Sequence, residues 1–214
     1  LLSIICLLTN NACISDEADL DDGTMDTDSD SDPETGNTSD VHVCICSDDI
    51  DLRPAVAAMR SVLASTSHPS RIMFHYITSP ELARPVHDIF RVQMSGARIE
   101  VHHNVKLQER IASNVVFRQS SGARVSLASA FNFAPFYLRE FLASSGSTTS
   151  GVERLIYMDA DVLVLGDIVE LASMEMGSFP CAAVQYCDQR LSHYINFTEL
   201  RRIGMADGIS PEAC

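Results

Sequence analysis

Two aspartates, Asp159 and Asp161, stand one residue apart directly after a short apolar run. That run, Leu155 to Met158, is typical of a buried strand, and a second apolar run follows from Val162 to Leu165. Carboxylates are costly to bury unpaired, so two of them at the end of a buried strand indicate a site. Their oxygens suit a hard divalent cation, which commonly holds a diphosphate. Taken alone, the tripeptide is also compatible with two turn residues that face water.

The segments around this pair alternate between strand and helix patterns, which predicts an α/β fold with a largely parallel sheet and helices on its faces. Ligands of such sheets bind at the carboxyl ends of the strands, where the aspartates stand. Strands are predicted at Val41 to Cys46, Arg71 to Ile77, Arg98 to Val101, Leu155 to Met158 and Cys181 to Gln185. Helices are predicted at Arg53 to Ala64, Ser79 to Val92, Arg124 to Ala143 and Gly166 to Leu171, with a loop or short helices over residues 104–122. Pro135 is expected to kink the third of these helices or to end it early.

The charge of the chain is unevenly distributed. The 214 residues carry a formal net charge of -14, and the first 40 hold eleven Asp and Glu but no Lys or Arg. The remainder has 18 acidic against 15 basic residues and is nearly balanced. The acidity therefore belongs to an N-terminal segment, and no basic patch indicates a nucleic-acid partner.

Three parts are predicted along the chain. Residues 1–14 begin with an apolar run and are interpreted as the end of a signal peptide or membrane anchor, although a strand or helix of the fold is the alternative. Residues 15–40 are almost free of apolar side chains and are predicted to form a disordered acidic stem. Residues 41–214 are predicted to form the globular domain. This layout is typical of a membrane enzyme of the secretory pathway.

The cysteines and histidines give weaker signals. Seven cysteines are present, and Cys187 and Cys214 are candidates for a disulfide in an oxidising compartment. His102 and His103 are expected in a surface loop, and no Cys/His spacing indicates zinc. The sequence also lacks the glycine-rich phosphate loop, the dinucleotide fingerprint and the serine-hydrolase elbow, which disfavours those three enzyme classes.

Four stretches, in order, resemble glycosyltransferase family 8, the retaining GT-A enzymes that use nucleotide sugars. They are Cys46-Ser-Asp-Asp49 with Met59-Arg-Ser-Val62, Ile72 to Thr78, Phe131 to Leu138, and Leu155 to Asp167. The resemblance covers residues 41 to about 171. Two later stretches, Cys187 to Arg190 and Tyr194 to Phe197, are similar to the plant galacturonosyltransferase-like branch. The resemblance implies a GT-A, Rossmann-like mixed sheet that is mostly parallel.

The resemblance also implies roles for individual residues, although it implies no catalytic residue. Asp159 and Asp161 would bind Mn2+ or Mg2+, which bridges the donor diphosphate, with Ala160 between them in the site. Asp48 would contact the uracil of a UDP-sugar, with Ser47 and Asp49 nearby. Asn132 would lie against the donor sugar.

The chain departs from the family pattern at three places. Ile50-Asp51 stands where the family usually has Asn-Tyr, and Pro135 stands where it usually has Arg or Lys. The sequence ends before the late acceptor-side motif and the late histidine of the metal site, so the domain is expected to be incomplete at its C-terminal end.

The expected function is metal-dependent, retaining transfer of a hexose or hexuronic acid from a UDP-sugar to a glycan or polysaccharide acceptor, in the Golgi lumen. The first alternative is a metal-dependent nucleotidyltransferase, which the acidic Ser47-Asp48-Asp49 loop disfavours because such enzymes usually begin with a basic phosphate loop. The second is a catalytically inactive domain that keeps the fold, which Pro135 and Ile50-Asp51 favour.

Overall fold

A computed structural model of the protein describes residues 6–9, 39–114, 129–143, 152–183, 188 and 190–213. Two compact units are present, Leu1–Ala182 and Ala183–Cys214. The first contains strands β1 Cys6–Thr9, β2 Val41–Cys46, β3 Ile72–Ile77, β4 Arg98–His102 and β5 Arg154–Tyr157, and the short β6 Cys181–Ala183 lies at the boundary. Its helices are α1 Arg53–Ser65, α2 Pro80–Gln93, α3 Val105–Asn114, α4 Leu138–Ala143 and α5 Ile168–Ala172.

The strands form one mixed sheet in the order β4-β3-β2-β5-β1-β6. Strands β4, β3, β2 and β5 run parallel to one another, and β1 pairs antiparallel with β5. Helices connect successive parallel strands, as a parallel sheet requires. The predicted α/β class with a mostly parallel mixed sheet is confirmed.

One face of the sheet packs against α1, α2 and α5. Ala55, Ala58, Met59 and Val62 are buried on α1 at the i, i+3, i+4, i+7 spacing of an amphipathic helix. They meet alternate strand residues of a core that includes Val43, Ile45, Phe74, Tyr76 and Ile156. Burying a side chain of this size stabilises the fold by about 1.5–3 kcal/mol.

The opposite face packs against α3, α4 and a 3-10 helix, Ala130–Tyr137. Here the core is built from the other alternate strand positions together with one face of each helix, and it includes Cys44, Ile77, Leu107, Ile111, Phe131, Phe141, Leu155 and Tyr157. Helices therefore cover both faces, as predicted, and Cys44 of β2 is fully buried in this second core.

One helix prediction differs from the structure. The segment predicted as one long helix to Ala143 is, in its described part, the 3-10 helix followed by α4. Pro135 lies within the 3-10 helix, where its missing N–H removes a hydrogen bond of an α-helix. Within residues 104–122, predicted as a loop or short helices, α3 spans Val105–Asn114 and begins with the Asn104 side chain accepting from Leu107 N–H at 3.0 Å.

The structure describes only a small part of the N-terminal segment. Strand β1 corresponds to the alternative of a strand that belongs to the fold, and the targeting role of residues 1–14 stays a prediction. Residues 15–38 of the acidic stem, Cys187 and Cys214 lie outside the described residues. None of the helices in the described part of the chain combines the length and the apolarity needed to cross a bilayer.

The second unit contains α6 Leu191–Tyr194 and α7 Phe197–Arg202. The Asn196 side chain caps α7 by accepting from Glu199 N–H at 3.2 Å. The end of the described chain folds back onto α6, where Leu191 N–H donates to Ala213 O at 2.7 Å.

Candidate functional site

The parallel pairing of β2 with β5 brings the two predicted acidic segments to one edge of the sheet. Cys44 is the register partner of Tyr157, and Met158 N–H donates to Cys44 O at 3.0 Å. Strand β2 ends at Cys46 and β5 at Tyr157, so Ser47 to Asp49 and Asp159 to Asp161 both follow the carboxyl ends of adjacent strands. These two strands lie in the middle of the sheet, which is where ligands of such folds bind.

Asp159 is partly buried and is held by the residue two positions before it. The Tyr157 hydroxyl donates to Oδ1 of Asp159 at 3.3 Å. Burial, reinforced by the neighbouring Cys46 and Asp159, raises the pKa of the Tyr157 hydroxyl well above its usual range. The tyrosine therefore keeps its proton and serves as a permanent donor to the carboxylate.

Ala160 and Asp161 form the turn after β5, with Ala160 partly buried against the core and Asp161 exposed. The segment that follows, Val162 to Leu165, has no regular secondary structure. Val162 and Val164 pack inward, whereas Leu163 and Leu165 are exposed.

The segment after the turn is fastened to the end of α1. Ser61 Oγ accepts from Val164 N–H and Ser65 Oγ donates to Val164 O, both at 2.8 Å. Asp167 accepts hydrogen bonds from Thr66 Oγ1 at 2.7 Å and Ser67 N–H at 3.0 Å, and it also caps α5. These bonds fix the path of the chain that leaves the aspartate pair.

Ser47 and Asp49 form an ordered turn beyond β2. Ser47 N–H donates to Ile77 O at 3.0 Å, its hydroxyl accepts from Asp49 N–H at 3.1 Å, and its side chain also hydrogen-bonds Tyr76. Burial raises the pKa of Tyr76 to about 12, and the bond with Ser47 opposes that shift. Asp49 Oδ1 in turn accepts from Asp51 N–H at 2.9 Å, so part of its role is to shape the loop.

Asp48 is exposed and is tied to a distant segment. The Ser129 hydroxyl donates to Oδ2 of Asp48 at 2.7 Å and also accepts from Phe131 N–H at 3.2 Å as the cap of the 3-10 helix. Residues three apart lie on the same side of a 3-10 helix. Asn132, which is exposed, therefore lies on the side of that helix that carries the contact to Asp48.

The structure thus places Ser47 to Asp49 and Asp159 to Asp161 at the carboxyl ends of two adjacent strands, and Ser129 links Asp48 to the 3-10 helix that carries Asn132. The Asp48 carboxylate, the partly buried Asp159 and the exposed Asp161 give this edge a concentration of negative charge. Carboxylate oxygens are the ligands that hard divalent cations prefer, so Asp159 and Asp161 remain the candidate metal ligands.

Two residues of the site were missed in the sequence. Tyr157 had been assigned only to the apolar strand, although a tyrosine two residues before an aspartate at a strand end is a signal for a supporting hydrogen bond. Ser129 gave no local signal, because its partner Asp48 is 81 positions away.

A second polar cluster lies on the sheet itself. The prediction that His102 lies in a surface loop is wrong, because it is the last residue of β4 and only 1% exposed. His75 is equally buried, and burial, reinforced by His102 and His42, lowers its pKa to about 3. Burial also lowers the pKa of His102. The signal in the sequence was Glu100-x-His102, whose members share one face of a strand.

Comparison with known proteins gives a consistent result. The family model described as glycosyl transferase family 8 matches residues 42–206. The chain is 33% identical over 161 residues to "Probable galacturonosyltransferase-like 10" of Arabidopsis thaliana, covering 73% of this chain and 40% of that protein. It is 29% identical over 164 residues to "Probable galacturonosyltransferase-like 4" of the same plant, covering 77% and 43%. The chain therefore spans less than half the length of these curated relatives.

Two solved structures are similar to a lesser degree. An active-site mutant of LgtC aligns with a TM-score of 0.46 at 18% identity, over 64% of this chain and 43% of that one. Mouse xyloside xylosyltransferase 1, in its apo form, aligns with a TM-score of 0.45 at 14% identity, over 62% and 47%. Neither likeness is strong enough to support a conclusion by itself.

Proposed function

This chain belongs to glycosyl transferase family 8, and from that premise we propose that the protein transfers a hexose or hexuronic acid from a UDP-sugar to a glycan or polysaccharide acceptor, with retention of configuration. The observation that carries the proposal is the shared sheet edge, where Ser47 to Asp49 and Asp159 to Asp161 follow two adjacent parallel strands. The names of the Arabidopsis relatives support a hexuronic acid as the sugar.

Asp159 and Asp161 are the proposed ligands of the metal. Two carboxylates in a turn offer only oxygen donors, and this set fits Mn2+ or Mg2+. Such an ion, when bound, supplies positive charge that offsets the charge developing on the departing diphosphate. Tyr157 orients Asp159 through its 3.3 Å hydrogen bond, so one of the two carboxylates is positioned before any ligand arrives.

The loop after β2 is the proposed site for the nucleoside. Asp48 would accept a hydrogen bond from the uracil, with Ser47 and Asp49 holding the turn in shape. The Ser129 hydroxyl orients Asp48 at 2.7 Å. Asn132, three residues further on, would then meet the donor sugar on the same side of the 3-10 helix.

The other parts of the proposal rest on the layout of the chain. An apolar N-terminal run, an acidic stem and a globular domain are typical of a membrane-anchored enzyme, so we place the protein in the secretory pathway, in the Golgi lumen. Its partners would be a nucleotide sugar and a glycan acceptor. The acidic Ser47-Asp48-Asp49 loop disfavours a nucleotidyltransferase, because such enzymes usually begin with a basic phosphate loop.

The second candidate function is a catalytically inactive binding domain, and two departures from the family pattern favour it. Pro135 occupies the 3-10 helix at the position where the family resemblance implies a cation. Ile50, at a position where the family resemblance implies Asn, is 82% exposed and supplies no polar group. In this candidate, UDP-sugar would bind without transfer.

An assay of UDP release separates these candidates. The complete protein is incubated with a panel of UDP-sugars, Mn2+ and plant cell-wall oligosaccharide acceptors, and free UDP is measured. We expect release with at least one donor, and loss of release when Asp159 and Asp161 are both replaced by Asn. UDP binding without release from any donor would favour the binding domain, and an absence of UDP binding would refute both.

A further inference from the structure

Four polar side chains come together on one face of the sheet, across three neighbouring parallel strands. They are His42 on β2, His75 on β3, and Glu100 and His102 on β4. The strand register explains the grouping, because His75 is the partner of Glu100, and His102 is the partner of Ile77, two residues further along β3. Residues two apart on a strand share a face, so all four project from the same side of the sheet.

The distances in this cluster match those of a metal site. His75 Nδ1 and His102 Nε2 are 3.0 Å apart, and Glu100 Oε2 lies 3.7 Å from each of them. Tetrahedral zinc with bonds of 2.0–2.1 Å to nitrogen or oxygen requires its ligand atoms to be about 3.3–3.4 Å apart. Adjustments of a few tenths of an ångström therefore allow one ion to contact all three atoms.

The fourth residue is placed to support such an ion. His42 Nδ1 lies 2.9 Å from His75 Nε2. If Nδ1 of His75 binds a metal, its other nitrogen carries the proton and donates it to His42. Metal-bound imidazoles almost always have such an outer partner, which fixes the ring and its tautomer.

We propose that His75, Glu100 and His102 bind one zinc-class ion, with His42 orienting His75. Two imidazoles and one carboxylate suit zinc, whereas the oxygen-only Asp159 and Asp161 suit manganese or magnesium, so the protein carries two sites of different metal preference. The Glu100 side chain is 23% exposed as a whole, whereas its Oε2 atom is buried beside the two histidines. The ion would link the edge strand β4 to its neighbour β3, and its binding would raise the stability of the folded protein.

Zinc stoichiometry and stability test this proposal. The full chain, with Asp159 and Asp161 both replaced by Asn to remove the other site, is freed of metal with a chelator and titrated with Zn2+. We expect about one tightly bound ion and a rise in the urea midpoint. Glu100→Gln in that background should weaken zinc binding tenfold or more, and Glu109→Gln, an exposed carboxylate on α3, should leave it unchanged.

X-ray absorption of the zinc-loaded protein decides the matter even if Glu100→Gln fails to fold. We expect a shell of nitrogen and oxygen only, at about 2.0–2.1 Å, with scattering from two imidazoles. A shell containing sulfur would assign the zinc to cysteines and overturn the proposal. Equal zinc affinities of the Glu100 and Glu109 variants, or no zinc bound, would show that the cluster is a metal-free chain of hydrogen-bonded histidines.

Discussion

The hydroxyl of Ser129 donates a 2.7 Å hydrogen bond to Oδ2 of Asp48, joining the start of the 3-10 helix to the loop after β2. This bond connects two segments that the sequence separates by 81 positions. Through this bond, Asp48, the proposed contact to the uracil, is linked to the 3-10 helix that carries Asn132, the proposed contact to the sugar. The orientation of Asp48 therefore depends on where the 3-10 helix lies.

Ser129→Ala is expected to weaken UDP binding about fivefold, because removing one net hydrogen bond costs about 1 kcal/mol. The affinity for UDP is measured by isothermal titration calorimetry in the presence of Mn2+. Ser129→Thr retains the hydroxyl and should bind as the natural protein does. Equal weakening by Ala and Thr would mean that the hydroxyl does not act through Asp48.

Tyr157→Phe is expected to reduce the affinity for Mn2+ and UDP, because it removes the donor that holds Asp159. Both affinities should fall several-fold. The affinity for UDP measured in the presence of a chelator, where no metal is bound, should fall less. Tyr137→Phe is the matched control, since it removes a hydroxyl from the 3-10 helix instead. If Tyr157→Phe and Tyr137→Phe behave alike, the orienting role of Tyr157 is wrong.

Phe141→Ala is expected to lower the free energy of unfolding by about 3–5 kcal/mol, because Phe141 is 1% exposed in the core beneath the 3-10 helix. Phe136→Ala removes the same side chain at a position that is 82% exposed and should change stability by no more than about 0.5 kcal/mol. Urea denaturation followed by circular dichroism measures both. Comparable losses would contradict the described packing of this segment.

Asp167 is expected to make stability depend on pH. Hydrogen bonds from the backbone of Ser67, then of Val169, and from the hydroxyls of Ser67 and Thr66 lower its pKa in the folded protein below the ordinary 3.8. An aspartate with a lowered folded pKa stabilises the fold above its unfolded pKa and loses that contribution as the pH falls through the folded value. Asp167→Asn should therefore destabilise the protein at pH 7, and this loss should shrink as the pH falls from 3.8 towards the folded pKa.

The measurement for Asp167 is the difference in urea midpoint between the natural protein and the variant at pH 7, 5, 3 and 2. Asp88→Asn, an exposed change on α2, controls for the loss of one negative charge. A difference for Asp167→Asn that stays constant over this range would show that its charge does not contribute.

The sequence allowed the sheet and its site edge to be predicted because both follow local patterns. Apolar runs of strand length were followed by polar residues, Ser47 after β2 and Asp159 after β5, and the parallel order placed those strand ends together. The amphipathic spacing of α1 and α2 was equally clear, with Pro54 and Pro80 in their first turns. These signals need no knowledge of distant contacts.

The features that were missed depend on tertiary contacts or on weak periodicity. Helix α3 buries only Leu107 and Ile111, too few apolar positions for a firm prediction. The bond of Ser129 to Asp48 and the cluster around His75 arise only when strands and helices far apart in the chain meet. Pro135 signalled a break, but not that the chain would continue as a 3-10 helix before α4.

The most direct test of the central proposal is the affinity of the complete protein for UDP with and without Mn2+, compared with its Asp161→Ala variant. Asp88→Ala serves as the control for loss of an exposed carboxylate. If Asp159 and Asp161 bind the ion that holds the diphosphate, Mn2+ will strengthen UDP binding by tenfold or more in the natural protein and the control, and Asp161→Ala will abolish that gain. Equal UDP affinity with and without Mn2+ in the natural protein would contradict the proposed site.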